Sequence, residues 1–107
     1  MKVYISGPIT GRSEEQYRAA FGHAAEIIRD TGHEAINPVD CSGWGLSWDG
    51  YMQIARTVLS SGEVDAVLML KGWEESRGAA RERFFASSAG IPVIYQDAGD
   101  EKKYREM

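Results

Sequence analysis

The sequence predicts an α/β fold built on a parallel sheet of about four strands in order 2-1-3-4, with helices on both faces. Short β-rich runs alternate with stretches of helical spacing in the rhythm β-α-β-α-β-α-β, which specifies parallel strands joined by right-handed crossovers. The run Val67-Leu68-Met69-Leu70 is solidly apolar, as a buried strand of such a sheet must be. A glycine (Gly32, Gly62 or Gly90) follows each helical stretch and supplies its stop.

Lys2-Val3-Tyr4-Ile5-Ser6 reads as the first strand, closed by Gly7-Pro8 and a loop to Ser13. Ser13 followed by Glu14, Glu15 and Gln16 has the composition of a helix N-cap with an acidic first turn. The apolar positions Tyr17, Ala20, Phe21, Ala24, Ile27 and Ile28 then recur at helical spacing until Thr31-Gly32. Glu34 to Asn37 is a brief second strand ended by Pro38, and a Gly- and Trp-rich loop is expected from Val39 to Trp48. Asp49 is placed to cap a second helix through about Ser61, with Met52, Ala55, Val58 and Leu59 on one side. The third strand is expected from Asp65 to Leu70, the third helix from about Arg77 to Ala89, and the fourth strand from Ile91 to Tyr95. Together these make a flavodoxin- or Rossmann-like three-layer sandwich. Gly99 to Met107 is a charged tail with few apolar residues, predicted to fray.

Composition narrows the function. A chain of 107 residues with 43% hydrophobic residues supports one core, so one domain is expected over residues 1–107. A net charge of −4 argues against polymeric nucleic acid, which demands a basic footprint, while leaving a single small phosphate open. Cys41 is the only cysteine and has no disulfide or zinc partner, which fits a reducing compartment. No apolar run approaches the roughly 18 residues of a membrane span and the N-terminus lacks a signal-peptide pattern, so a cytoplasmic protein without membrane association is expected.

In a 2-1-3-4 sheet the strand order reverses between strands one and three, so the loops after Ser6 and Leu70 should meet at one crevice. The first, Ser6-Gly7-Pro8-Ile9-Thr10-Gly11-Arg12, combines two glycines, two hydroxyls and a guanidinium, which suits a phosphate or ribose and equally describes a tight turn. The second places Trp73, Ser76, Arg77 and Gly78 around a helix N-terminus, a position that favours anions. Glu82 follows on the first turns of that helix. A glutamate there is ordinarily solvated, yet Gly78-Ala79-Ala80 lets the helix start lie close to the sheet with room for a ligand beside the carboxylate. His23 and His33 lie outside both motifs, which excludes a His-based triad, and no metal-ligand spacing is present. Trp44, Trp48 and Tyr51 suit a lid that stacks on a base; core packing or a dimer contact fits the same residues.

Lys2 to Gly11 and Ser76-Arg77-Gly78-Ala79-Ala80-Arg81-Glu82 resemble the opening strand and loop and the Ser/Asp-x-Gly-x-x-x-Glu segment of the nucleoside 2-deoxyribosyltransferase superfamily. That superfamily includes the 2'-deoxynucleoside 5'-monophosphate N-glycosidases. The pattern Gly-Trp-Glu-x-Ser-x-Gly-Ala is similar to that of a small phage and bacterial subfamily. The resemblance implies that Glu82 is a nucleophile attacking C1' of a deoxyribose to form a glycosyl-enzyme ester, resolved by water or a second base. It further implies sugar or 5'-phosphate contacts from Ser6, Gly7, Arg12, Ser76 and Gly78, an acid near the site at Asp65, no cofactor, and a homodimer or higher homo-oligomer. The chain departs from the pattern at two places. No carboxylate occupies Ala55 to Thr57, where the family carries an aspartate, and Ser76 replaces a family acid, leaving Glu74 or Glu75 to protonate the leaving base. These departures keep a noncatalytic nucleotide-binding module as the alternative.

Overall fold

A computed structural model describes residues 1–96, with the backbone alone for 41–43. Four parallel strands, β1 (Lys2–Ser6), β2 (Glu34–Ile36), β3 (Ala66–Met69) and β4 (Val93–Tyr95), lie in the order β2-β1-β3-β4, with three helices, α1 (Glu14–Asp30), α2 (Trp48–Leu59) and α3 (Arg77–Ser88), between them. This is the predicted three-layer α/β architecture. The predicted tail, Gly99 to Met107, lies outside the described residues.

Strand alternation sorts the core into two layers. Val3, Ile5, Ala66 and Leu68 face α1, where Phe21, Ala24, Ala25 and Ile28 cover them. Tyr4, Val67 and Met69 face the opposite side, against Ala55 and Leu59 of α2 and Ala79 and Ala86 of α3. The central strands are buried on both sides, so their sequences read as continuous apolar runs.

Local chemistry sets the element ends. Ser13 forms a capping box: its Oγ accepts from Gln16 N–H at 3.2 Å while Gln16 Oε1 accepts from Ser13 N–H at 3.1 Å. Both α1 and α3 close in Schellman motifs around glycines at positive φ, 88° at Gly32 and 72° at Gly90, with His33 and Ile91 N–H reaching back to Ile28 and Ala86.

Three of the departures from the expected boundaries have a clear local cause. Residues Pro38–Trp44 form a 3₁₀ helix where a loop was predicted, because Asn37 Oδ1 caps Val39 N–H at 3.1 Å and Pro38 starts the turn with φ already fixed. Helix α2 starts earlier than expected: Ser47 Oγ, not Asp49, takes the cap bond from Gly50 N–H at 3.1 Å, and Asp49 sits in the first turn. Strand β4 begins at Val93 because Ile91 is used in closing α3 and Pro92 has no N–H to give the ladder.

The loops after β1 and β3 touch. A Cβ added to Gly7 would stand 2.9 Å from Leu70 Cβ, while Leu70 N–H donates to Ser6 O at 2.8 Å and holds the two chains in register. Gly7→Ala should therefore overpack this junction and cost about 1–3 kcal/mol, read as a lower urea midpoint at unchanged m-value.

Candidate active site

Tyr4 and Ser6 are two residues apart on β1, so both side chains project to the α2/α3 side of the sheet. Glu82 descends from α3 to meet them. Its Oε2 accepts from the Tyr4 hydroxyl and its Oε1 from Ser6 Oγ at 3.0 Å, and both Glu82 and Ser6 are buried. Helix α3 reaches this depth with small residues on its inner face: Ala79 is buried, and Gly78 lies beside Met52 of α2.

Above the carboxyl is a cavity of about 410 Å³ over the C-terminal ends of β1 and β2, a size that suits a small organic ligand. The β1–α1 loop contributes Gly7, Ile9 and Thr10, and α2 contributes Trp48, Tyr51 and Met52. Ser76, Gly78 and Ala79 bring the N-terminus of α3 to the rim, where Ser76 Oγ caps Ala79 N–H at 3.2 Å. The wall is mainly hydrocarbon, and Glu82 is its only carboxylate among the described residues. Burial pushes the Glu82 pKa up to about 7, opposed by the hydrogen bonds from Tyr4 and Ser6. The group is thus poised near neutrality, able to give a proton or act as a nucleophile.

A family model described as a domain of unknown function, DUF4406, matches residues 1–95, from β1 through β4. The chain belongs to the DUF4406 family. No curated protein and no solved structure matches it.

Within this DUF4406 chain, Gly7, Ile9, Trp48, Ser76, Gly78 and Glu82 converge on the cavity, with Ser6 directly behind Glu82. Arg77 is exposed at the rim with its guanidinium 3.9 Å from the centre of the Trp48 ring, a cation–π contact. Other residues predicted for the site lie elsewhere. Asp65 is at the opposite end of the sheet, its Oδ2 accepting from Lys2 N–H at 2.7 Å. Lys2 and Ser6 are separated by four strand residues, about 13 Å. Glu75 is exposed in a short 3₁₀ turn, Trp73–Glu75, and does not line the cavity. Trp73 packs on Tyr95 at 5.7 Å, and Trp44 is 62% exposed and outside the lining. Pro8 and Arg12 line a separate, smaller cavity.

The sequence reading missed Tyr4, which touches the buried Glu82 carboxyl, and Asn37, which lines the cavity with Oδ1 turned to Val39 N–H. The signal for Tyr4 was its i, i+2 relation to Ser6, a hydroxyl already assigned to the site. Among the described residues no metal-binding group of three or more His, Cys, Asp or Glu side chains occurs, and no helix is long and apolar enough to cross a membrane.

The raised Glu82 pKa fixes the sign of a pH effect. The folded state holds this proton up to about pH 7, against 4.5 for an ordinary glutamate, so the stability it contributes is full below 4.5 and is lost as pH rises toward 7. The loss amounts to about 3 kcal/mol. Glu82→Gln should remove it, so urea titrations from about pH 4 to about pH 8 should show the wild type losing stability relative to the variant.

Proposed function

We propose that this protein cleaves or exchanges the N-glycosidic bond of 2'-deoxynucleosides or their 5'-monophosphates, with Glu82 as the nucleophile. The observation that carries this reading is a buried carboxyl beneath a cavity of about 410 Å³, held by two hydroxyls on a strand whose sequence resembles that of deoxyribosyltransferases. In the proposed reaction Glu82 Oε attacks C1', the glycosidic C–N bond breaks with its electron pair leaving on the base, and water or a second base then displaces the ester. Tyr4 and Ser6 keep the carboxylate oriented and spread its charge. The rim of α3 supplies early helix N–H groups to a phosphate or sugar oxygen, with the exposed Arg77 beside them.

A specific observation favours the second reading, a noncatalytic nucleotide-binding module. Among the described residues the cavity has no second carboxylate to protonate a leaving base, and Glu75, the expected substitute, faces solvent. A general acid typically contributes ~10²–10⁴-fold, so a binder or a slow hydrolase is its natural outcome.

Incubation with deoxynucleosides and their 5'-monophosphates, followed by mass spectrometry of free base, separates the two. Base release should fall at least ~10³-fold in Glu82→Gln, and the wild-type kcat/KM should rise with pH through about 7 as the nucleophile ionises. Tyr4→Phe, which removes one donor to the carboxylate, should move that limb to higher pH. A melting temperature raised by nucleotide with no base released would leave the binding module.

The exposed Trp44 and Leu46, the latter on the cavity lining, support association of two copies over the cavity mouth. Sedimentation equilibrium should then give a dimer, and a monomer at every concentration would remove this part of the reading.

A further inference from the structure

The loop from Gly7 to Arg12 separates two cavities. The second, about 150 Å³, lies on the α1 side, where the chain leaves β1 (Pro8, Arg12), β3 (Leu70, Lys71) and β4 (Gln96). Helices α1 and α3 depart from β1 and β3 to opposite faces, so this is the topological switch point of the sheet, where open α/β folds bind ligands. Its volume is below the roughly 300 Å³ of a site for a drug-sized molecule.

We infer that this second cavity is an anion site taking a single phosphate group, either free phosphate or a phosphomonoester. Besides Tyr17, its polar lining is Arg12, Gln16, Lys71 and Gln96. Arg12 and Lys71 are cations, and neither forms an ion pair with a carboxylate among the described residues. The two amide side chains have their oxygens engaged already: Gln16 Oε1 accepts from Ser13 N–H at 3.1 Å, and Gln96 Oε1 from Lys71 N–H at 2.9 Å. Each therefore keeps its NH₂ group as the remaining donor. Among the described residues no carboxylate lines this cavity. Arg12 lies close to the turn after β3. A Cβ at Gly72 would stand 2.7 Å from Arg12 Nη2, so the guanidinium lies against the Gly72 backbone, which itself takes a positive φ of 86°. Planar guanidinium, ammonium and amide donors suit a tetrahedral oxyanion.

The inference is independent of the glycosidase reading. It assigns Arg12 to a site distinct from the Glu82 cavity, across the loop from Ile9 and Thr10. An anion bound there would tie the β1 loop to the ends of β3 and β4 and brace one wall of the larger cavity.

The test uses the full chain with inorganic phosphate and, in parallel, glycerol phosphate, against chloride at matched ionic strength. Phosphate at tenfold its Kd should raise the melting temperature by roughly 5 °C, and amide NMR shifts should concentrate at Gly72 and Gln96. The tighter of the two probes names the source. Arg12→Gln, Lys71→Gln and Gln96→Glu should each weaken binding at least ~10-fold, the last because it keeps the acceptor for Lys71 N–H while placing negative charge in the cavity. All three positions are on the surface or its edge, so folding should survive. Equal shifts with chloride, the same affinity in all three variants, or perturbation centred on Ser76 to Ala79 would each overturn the inference.

Discussion

The arrangement depends on one buried carboxyl. Helix α3 buries only Ala79, Glu82 and Ala86, an i, i+3, i+7 stripe whose flanking members are alanines. Its largest buried side chain is thus a glutamate. A leucine or methionine at that place would fill the same volume without desolvating a charge, so stability gives no reason for the choice. The Tyr4 and Ser6 hydroxyls offset part of the cost by hydrogen bonding, and proton uptake offsets more. The same contacts tie α3 to β1 and set the height at which the start of α3 stands beside the cavity.

Strand β1 organises everything around that contact. One of its faces supplies Val3 and Ile5 to the layer under α1, and the other supplies Tyr4 and Ser6 to the carboxyl. Beyond Ser6 the chain passes so close to Leu70 that a methyl group does not fit at Gly7. The loop that follows is consequently anchored at its root, and it serves as a wall for both cavities, Gly7, Ile9 and Thr10 to one and Pro8 and Arg12 to the other. Two chemically different surfaces, one mostly hydrocarbon with a single acid and one rich in donors, are therefore coupled through a six-residue segment.

Much of this was legible in the sequence, for reasons that differ by element. The sheet order followed from the alternation of strands and helices, since right-handed crossovers leave few topologies. The Ser13 cap and the Gly32 and Gly90 stops followed from residue chemistry within one turn. The Pro38–Trp44 turn was not visible because its organising bond, Asn37 Oδ1 to Val39 N–H, competes with an ordinary strand exit of the same composition. Glu82 was legible through the small residues before it. Tyr4 was hidden because a tyrosine in a β-rich run looks like packing until the helix carboxyl opposite is placed. Asp65 was assigned to the Glu82 site by its match to a family acid and Arg12 by its place in the loop after Ser6 and the same resemblance, yet a strand's length separates one from it and a loop's thickness the other.

The chemical meaning of Glu82 turns on its having no acidic neighbour in its cavity among the described residues. Two carboxylates a few ångströms apart divide the work of glycosidic cleavage, one ionised to attack and one protonated to assist departure. A lone group with a pKa near 7 populates both states at neutral pH and cannot serve in both during the same event. With its pKa raised to about 7, the ionised form is accessible at neutral pH, so in the proposed reaction ionisation of the nucleophile is a small part of the barrier. In that proposed reaction the larger barrier is departure of the base. A base whose departing nitrogen is already electron-poor, or whose ring takes a proton directly from water, escapes that barrier, whereas an unprotonated adenine does not. The cavity's single acid therefore favours a narrow set of good leaving groups if the protein is a catalyst, and retention of the intact nucleotide if it is not.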